Sequence, residues 1–323
     1  MGLFKLNYDK PGPGVSKNAP QKRRFVVFFE LLGRNFWKIL RVNYLFLLCC
    51  VPICVLIYVF GMLFSGMSNS VLGLFLVFSP LILLSFPLLG MTYICRNFVR
   101  EEPSFIWYDF FHQIKLNFKV TLLHGVVNYL VLFFGLVAIR YYYMAQATNA
   151  LLLWPLVFVV IALLFYFIMS FYIYMMILTF DLPYRAIVKN AFIFVFAGFL
   201  RNILLSIVLL PIWFLMIDSL IQPMFHATQQ TINAMIFPVP FLALGLCGFS
   251  CYLVDFVTYP VICKYMIEPL YGKKEDGEID LGPKDTDHYH PLEETEEAEY
   301  VYVNGRLVKR EEDERIFNDE VQK

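Results

Sequence analysis

The sequence predicts an all-α membrane protein, a polytopic bundle of six transmembrane helices arranged as three hairpins. Its 323 residues are 59% hydrophobic and only 16% charged, whereas a soluble domain carries about 25% charged residues. Six apolar windows reach the length of roughly 20 residues that a helix needs to cross a bilayer. Basic residues gather at alternate ends of those windows, as expected when cytoplasmic loops retain Lys and Arg.

The chain divides into a cytoplasmic N-terminal segment (residues 1–24), a transmembrane domain (25–271) and an acidic cytoplasmic tail (272–323). The ends of the predicted spans carry an error of about 2 to 4 residues. In order, the spans cover approximately Tyr44–Phe64, Val71–Cys95, Val120–Val137, Leu151–Phe180, Ile203–Ile221 and Ile236–Val261.

The distribution of Lys and Arg predicts the orientation. Of the 26 basic residues, Arg140 is the single one on the side opposite both termini. An even number of spans with both ends of the chain in the cytoplasm explains this pattern. The polar, Pro- and Gly-rich start of the chain argues against a cleavable signal peptide. We therefore expect a multi-pass protein of a bacterial cell membrane.

A mixed aromatic and basic segment precedes each odd-numbered span. These three segments, called collars below, cover residues 25–38, 107–119 and 191–202. Phe25, Phe28, Leu32 and Phe36 recur at helical spacing in the first collar, which is typical of a helix lying in the membrane interface. The collars could equally be the cytoplasmic ends of long spanning helices. Either placement puts their aromatic and basic side chains at the membrane boundary.

The C-terminal tail is acidic. Residues 272–323 contain 17 acidic and 8 basic residues, so composition predicts a small, largely flexible extension. Within it, Asn304-Gly305 separates two apolar-rich runs and is typical of a two-residue β-hairpin turn. Such a hairpin is marginal alone and would need the membrane domain or a partner to hold it.

Ionisable residues inside apolar spans are the best functional indicators, because each costs about 3 kcal/mol unless it is paired or hydrated. Asp255 lies deepest, in the sixth span, and His124 and Asn128 lie one turn apart in the third. We predict that these three line a polar cavity. The alternative is a structural hydrogen-bond network between helices.

A second charged pair is predicted at the outer side. Asp218 lies near the outer end of the fifth span and Arg140 near the outer end of the third. An ion pair between them would explain the single basic residue on that side, so we assign the pair a structural role.

No motif for catalysis, cofactor binding or metal binding is present. The sequence has no phosphate-binding loop, no His-Glu-x-x-His and no Gly-x-Ser-x-Gly. The seven cysteines fall in or beside spans, where they pack as small apolar residues. Cys247 and Cys251 share a helix face, but a metal site is disfavoured because complementary His or carboxylate ligands are not expected there. Nucleic acid is excluded as a partner, since the basic residues follow the membrane boundary.

The N-terminal part resembles a known family. Its opening Asn7-Tyr8-Asp9-Lys10-Pro11-Gly12-Pro13-Gly14-Val15, the following Lys22-Arg23-Arg24-Phe25 and the collar Arg34-Asn35-Phe36-Trp37-Lys38 resemble the YesL-like family of bacterial polytopic membrane proteins, a domain of unknown function. The resemblance extends over most of the membrane part. It implies about six spans and an association with carbohydrate uptake systems and histidine-kinase regulators, but no catalytic residues.

Two functions follow as expectations. The resemblance implies a non-enzymatic accessory or regulatory partner of a carbohydrate uptake system, acting with a carbohydrate ABC permease or a sensor histidine kinase. The alternative comes from the residues themselves: a small-solute transporter in which Asp255 is the intramembrane coupling group.

Overall fold

The computed structural model describes residues 23–67, 70–225, 238–267, 300–303 and 306–309, and nearly all of them are helical. The contacts separate two units, residues 1–36 and 37–323. The helices are α1 (Arg24–Leu63), α2 (Val71–Phe78), α3 (Ser85–Val99), α4 (Ile106–Leu116), α5 (Phe118–Ala145), α6 (Leu153–Thr179), α7 (Tyr184–Ala197), α8 (Phe199–Phe225), α9 (Pro238–Ala243) and α10 (Leu246–Ile262).

Six helical segments are long and apolar enough to cross a membrane, which confirms the predicted all-α class and number of spans. They are Arg24–Leu63, Val71–Val99, Phe118–Ala145, Ala150–Thr179, Phe199–Met216 and Leu246–Ile267. The second joins α2 to α3 through a 3₁₀ turn at Ser79–Leu84, where Pro80 cannot donate a backbone hydrogen bond.

The two largest differences from the predicted spans are at the start of the first and the start of the sixth. The first helix is continuous over 40 residues, about twice what a crossing requires, so its collar continues the helix. The sixth span begins at Leu246 and not near Ile236. Gly245 has φ +104°, a left-handed conformation that glycine adopts without steric cost, and this residue separates α9 from α10.

The other two collars form separate helices. The second collar largely coincides with α4, and the third contains the end of α7 and the start of α8. Asn117 lies between α4 and α5, and Asn202 lies in the first turn of α8. Asn117 Nδ2 donates to the Gln113 carbonyl at 3.0 Å, and Asn202 Nδ2 donates to the Phe194 carbonyl at 3.0 Å. These amides satisfy carbonyls at the end of the preceding helix, so the sequence-level repeat has a structural counterpart.

The core is centred on the second half of α6. Residues from Phe171 to Thr179 are buried around the whole helix, although the first half of α6 exposes large apolar side chains such as Trp154 and Phe158. Residues of α3, α7, α8 and α10 surround the buried half. A helix that is apolar on every side is enclosed by protein or by lipid. The second half of α6 is enclosed by protein, and the first half exposes its apolar side chains as a lipid-facing helix would.

Two short strands pair beyond the last helix. β1 (Tyr300–Val303) and β2 (Arg306–Lys309) are antiparallel, with Tyr300 opposite Lys309 and Val303 opposite Arg306. This register leaves two residues for the turn, as the hairpin prediction requires. Asn304-Gly305 itself, and most of the acidic tail, lie outside the described residues.

Candidate functional site

A cavity of about 210 Å³ lies among five helices of the larger unit. Its walls are mostly apolar, including Phe46 of α1, Phe171 of α6 and Trp213 of α8. Polar groups come from α3, α6 and α10. They are Thr92, Ser170, Tyr174, Ser250, Cys251 and Asp255. An apolar cavity with a few convergent polar groups has the composition of a small-molecule site.

Asp255 provides the acid of this cavity. It lies in the middle of α10 and is 1% exposed. Cys251 Sγ, one turn earlier, donates to its Oδ2 at 3.8 Å. Among the described residues, no basic nitrogen lies within 4.0 Å of the carboxylate. A buried carboxyl group in that setting requires a proton or a cation beside it.

A second cysteine completes a group that the sequence analysis missed. Cys95 of α3, Cys251 and Asp255 offer ligand atoms that all lie within 4.8 Å of one another; we call this group the thiol–acid cluster. The expectation that no carboxylate complements the cysteines is therefore wrong. Asp255 follows Cys251 by four residues and shares its helix face, while the packing of α3 on α10 brings in Cys95.

His124 belongs to a different group. Its Nδ1 lies 3.0 Å from the Tyr184 hydroxyl, and its ring packs edge-on against Tyr174 with centroids 4.8 Å apart. Asn128 Oδ1 accepts from the Tyr166 hydroxyl at 3.1 Å. We call these residues of α5, α6 and α7 the histidine–tyrosine cluster: His124, Asn128, Tyr166, Tyr174 and Tyr184.

The structure therefore places Asp255 in the thiol–acid cluster, and His124 and Asn128 in the histidine–tyrosine cluster. No hydrogen bond or ion pair links Asp255 to either residue within the described chain. The reason is packing, because α5 lies against α3 and α6, and α10 lies against α3, α6 and α8. Tyr174 connects the two clusters, since it contacts His124 and also lines the cavity. Its hydroxyl has no hydrogen-bond partner in the described structure.

Arg96 is a further residue that sequence reasoning missed. The second predicted span ends at Cys95, which would place Arg96 in a loop. In the structure Arg96 lies in the last turn of α3 and is 1% exposed. Its Nη1 donates to the Leu178 carbonyl at 3.0 Å and to Thr179 Oγ1 at 3.2 Å. A cation at the C-terminus of α6 complements the helix dipole and its free carbonyls. Arg96 also acts electrostatically on Asp255, without approaching it within 4.0 Å.

The candidate outer pair is not formed in the described structure. Arg140 is exposed on α5, and Asp218 is half-buried on α8. No ion pair within 4.0 Å connects them among the described residues. The two helices have different neighbours, because α5 packs mainly on α6 and α3, and α8 on α7 and α10.

Two other cavities are lined by basic residues. One includes Arg201 and Lys264 where α7 meets α8. The other, of about 530 Å³, includes Lys38 and Arg41 together with Trp107. Basic and aromatic side chains together are typical of the boundary between a membrane and water.

No protein-family model, curated protein or solved structure matches this chain. The function must therefore be inferred from the chemistry of the clusters. The cavity offers one acid, thiols and hydroxyls, but the described residues show no base placed to activate a nucleophile.

Proposed function

We propose that this protein spans a bacterial cell membrane six times and binds a small solute in the central cavity, with Asp255 as the coupling group for transport. One observation carries the proposal: a fully buried carboxyl group lines a cavity between spanning helices and has no basic partner within 4.0 Å among the described residues. Intramembrane acids of this kind are expensive and commonly serve ion or proton relays.

The size and lining of the cavity support a small ligand. A volume of about 210 Å³ is below the roughly 300–1,000 Å³ of pockets for drug-sized molecules. Five helices contribute to it, so a relative movement of α3, α6 and α10 would change access to Asp255. Such helix shifts are a common route of transport and switching.

Proton coupling requires that the acid exchange charge with its surroundings. The titratable and charged groups around Asp255 are Cys95 and Arg96 from α3, Cys247 and Cys251 from its own helix and Tyr174 from α6. Of these, Arg96 carries the one fixed charge, and its donors are directed at the end of α6. The acid is therefore the group whose charge a proton or a bound solute would balance.

A flux experiment tests this proposal. Proteoliposomes containing a pH-sensitive dye would receive a panel of sugars, amino acids and divalent cations while lumenal pH is recorded. We expect at least one solute to change lumenal pH with wild type and with Asp218→Asn, a carboxylate outside the cavity. Asp255→Asn should abolish the change. A response in Asp255→Asn equal to that of wild type, or no response to the whole panel in wild type, would refute coupling through this residue.

The proposed orientation places both termini in the cytoplasm. It is supported by the basic cavities at Lys38, Arg41, Arg201 and Lys264, which suit contact with anionic headgroups. Reporter fusions test it. A fusion at Gln229 should be active only as an extracytoplasmic reporter, and a fusion after Lys323 only as a cytoplasmic one. The reverse pattern would contradict the orientation.

A second candidate function is the accessory role implied by the resemblance to the YesL-like family. The observation that favours it is the aromatic surface around the start of α4, where Phe105, Trp107 and Tyr108 are 80%, 63% and 67% exposed. Exposed aromatic residues are enriched at the centres of protein interfaces. A carbohydrate permease or sensor kinase should co-purify with wild type and be lost from Trp107→Ala. Co-purification that Trp107→Ala leaves unchanged would exclude this surface.

A further inference from the structure

The thiol–acid cluster has the composition of a metal site. Cys95 Sγ, Cys251 Sγ and a carboxylate oxygen of Asp255 lie within 4.8 Å of one another. Four-coordinate zinc with Zn–S bonds of about 2.3 Å holds its ligand atoms about 3.7 Å apart. The ligand atoms therefore need to approach one another by about 1 Å at most. Side-chain rotations of that size require no movement of α3 relative to α10.

The donor set selects the class of ion. Two thiolates favour zinc and related soft or borderline metals, whereas calcium and magnesium require oxygen ligands. The three groups carry three negative charges when deprotonated, and a divalent cation compensates most of that charge in an apolar surrounding. Among the described residues, the hydrogen bonds of these atoms are weak sulfur contacts, such as Cys95 Sγ to the Gly248 carbonyl at 3.9 Å.

The position of the cluster leaves room for a fourth ligand. Cys251 and Asp255 line the cavity, and the Thr92 hydroxyl lies 3.7 Å from Cys251 Sγ. Three protein ligands with an open fourth position distinguish exchangeable or catalytic zinc sites from closed structural ones. Cys247 lines the same cavity but is not part of the cluster, so it provides a matched control.

We propose that Cys95, Cys251 and Asp255 bind a thiophilic divalent cation of the zinc class, with its fourth coordination position open to the central cavity. This inference rests on the proposed function in one respect, because it names the solute class that the cavity would carry. The ligand set itself can be tested by equilibrium binding, without transport.

The experiment uses the full chain purified in detergent and titrated with Co²⁺, which gives thiolate charge-transfer absorption when it is bound by cysteine. We expect saturation at one Co²⁺ per chain and displacement by Zn²⁺. Cys95→Ser and Cys251→Ser should each lower the charge-transfer intensity by about half, since each removes one of two thiolates. Asp255→Asn should retain the band but bind at least about 10-fold more weakly.

Two controls make the result specific. Cys247→Ser, at the cavity wall, and Cys54→Ser, exposed on α1, should both bind Co²⁺ as wild type does. Absence of a saturable thiolate band in wild type would overturn the proposal. A band that survives Cys95→Ser unchanged, or that disappears in Cys247→Ser, would overturn it as well.

A measurement on wild type covers the case in which the variants fail to fold. X-ray absorption at the zinc edge of the Zn²⁺-loaded protein should show two sulfur ligands at about 2.3 Å and oxygen ligands for the rest. Zinc with four sulfur ligands, or with none, would contradict the assignment. Metal binding without flux in proteoliposomes would support the metal site and contradict the transport function. Flux of another solute without metal binding would support the transport function and contradict the metal site.

Discussion

The thiol–acid cluster is built on α3 and α10 and the histidine–tyrosine cluster on α5, α6 and α7, and the two clusters bury their polar groups differently. In the histidine–tyrosine cluster, the imidazole and the Asn128 amide are each hydrogen-bonded to a tyrosine hydroxyl. The thiol–acid cluster combines an acid with two thiols, which are weak hydrogen-bond partners, at the wall of a cavity.

The difference indicates which cluster holds a ligand. The hydrogen bonds of the histidine–tyrosine cluster join side chains of different helices and stabilise their packing, although His124 Nε2 and the Tyr174 hydroxyl have no hydrogen-bond partner among the described residues. An acid beside two thiols is better satisfied when a proton or a cation is added. The thiol–acid cluster and the histidine–tyrosine cluster are therefore expected to respond differently to substitution, and the variants below test that difference.

Arg96→Met should have the largest effect, because Arg96 holds the end of α6, which carries Tyr166 and Tyr174, and directly follows Cys95 of the thiol–acid cluster. Arg96 is buried and donates to the last turn of that helix. Removing the guanidinium leaves the buried Leu178 carbonyl and Thr179 hydroxyl without this donor, at a cost of about 1–3 kcal/mol for each unsatisfied group. Thermal unfolding in detergent should show a large loss of stability, whereas Arg201→Gln, an exposed basic residue, should change little. Equal stability of Arg96→Met and wild type would show that this contact is dispensable.

Tyr184→Phe should lower stability by about 0.5–1.5 kcal/mol, the usual worth of one intramolecular hydrogen bond. The change removes the hydroxyl that contacts His124 Nδ1 and preserves the aromatic ring. Chemical denaturation measures the loss, and Co²⁺ titration of the same sample should give the affinity of wild type. A weaker Co²⁺ affinity would mean that the two clusters are not separate.

Asp255→Asn should change the stability of the metal-free protein by less than about 1 kcal/mol, because the amide keeps the shape of the carboxyl group and carries no charge to bury. Denaturation in the presence of a chelator measures this. A loss of several kcal/mol would instead favour the structural network considered from the sequence, with Asp255 as one of its members.

Tyr174→Phe should have the smallest effect, within about 0.5 kcal/mol of wild type. Its hydroxyl has no hydrogen-bond partner in the described structure, so removing it breaks no bond and relieves a buried polar group. Thermal unfolding again provides the measurement. A clear destabilisation would reveal a partner for this hydroxyl, such as a water molecule shared between the two clusters.

Local sequence pattern was sufficient to predict the six spanning helices and to single out Asp255 as an acid within one of them. Apolar windows report directly on length and burial, and a single acid in such a window stands out. The starts of α1 and α10 were harder to predict. A helix can continue through polar residues, and one glycine at positive φ can end it.

Contacts between helices were not predictable in the same way. Spacing along α10 places Asp255 beside Cys251, a signal that was present and overlooked. Nothing along the sequence indicates that Cys95 meets them, because that contact depends on how α3 packs against α10. Similarly, Arg96 directly follows an apolar window and has the sequence context of a loop residue, while its burial depends on the end of α6.

Zinc-dependent thermal stabilisation provides the most direct comparison of the two clusters. A ligand that binds only the folded state adds about 2.7 kcal/mol of stability at a concentration 100 times its dissociation constant. Wild type and Tyr184→Phe should therefore show equal increases in melting temperature when Zn²⁺ is added, and Asp255→Asn at the same concentration should show a much smaller one. An equal increase in Asp255→Asn, or no increase in wild type, would contradict a ligand site at the thiol–acid cluster.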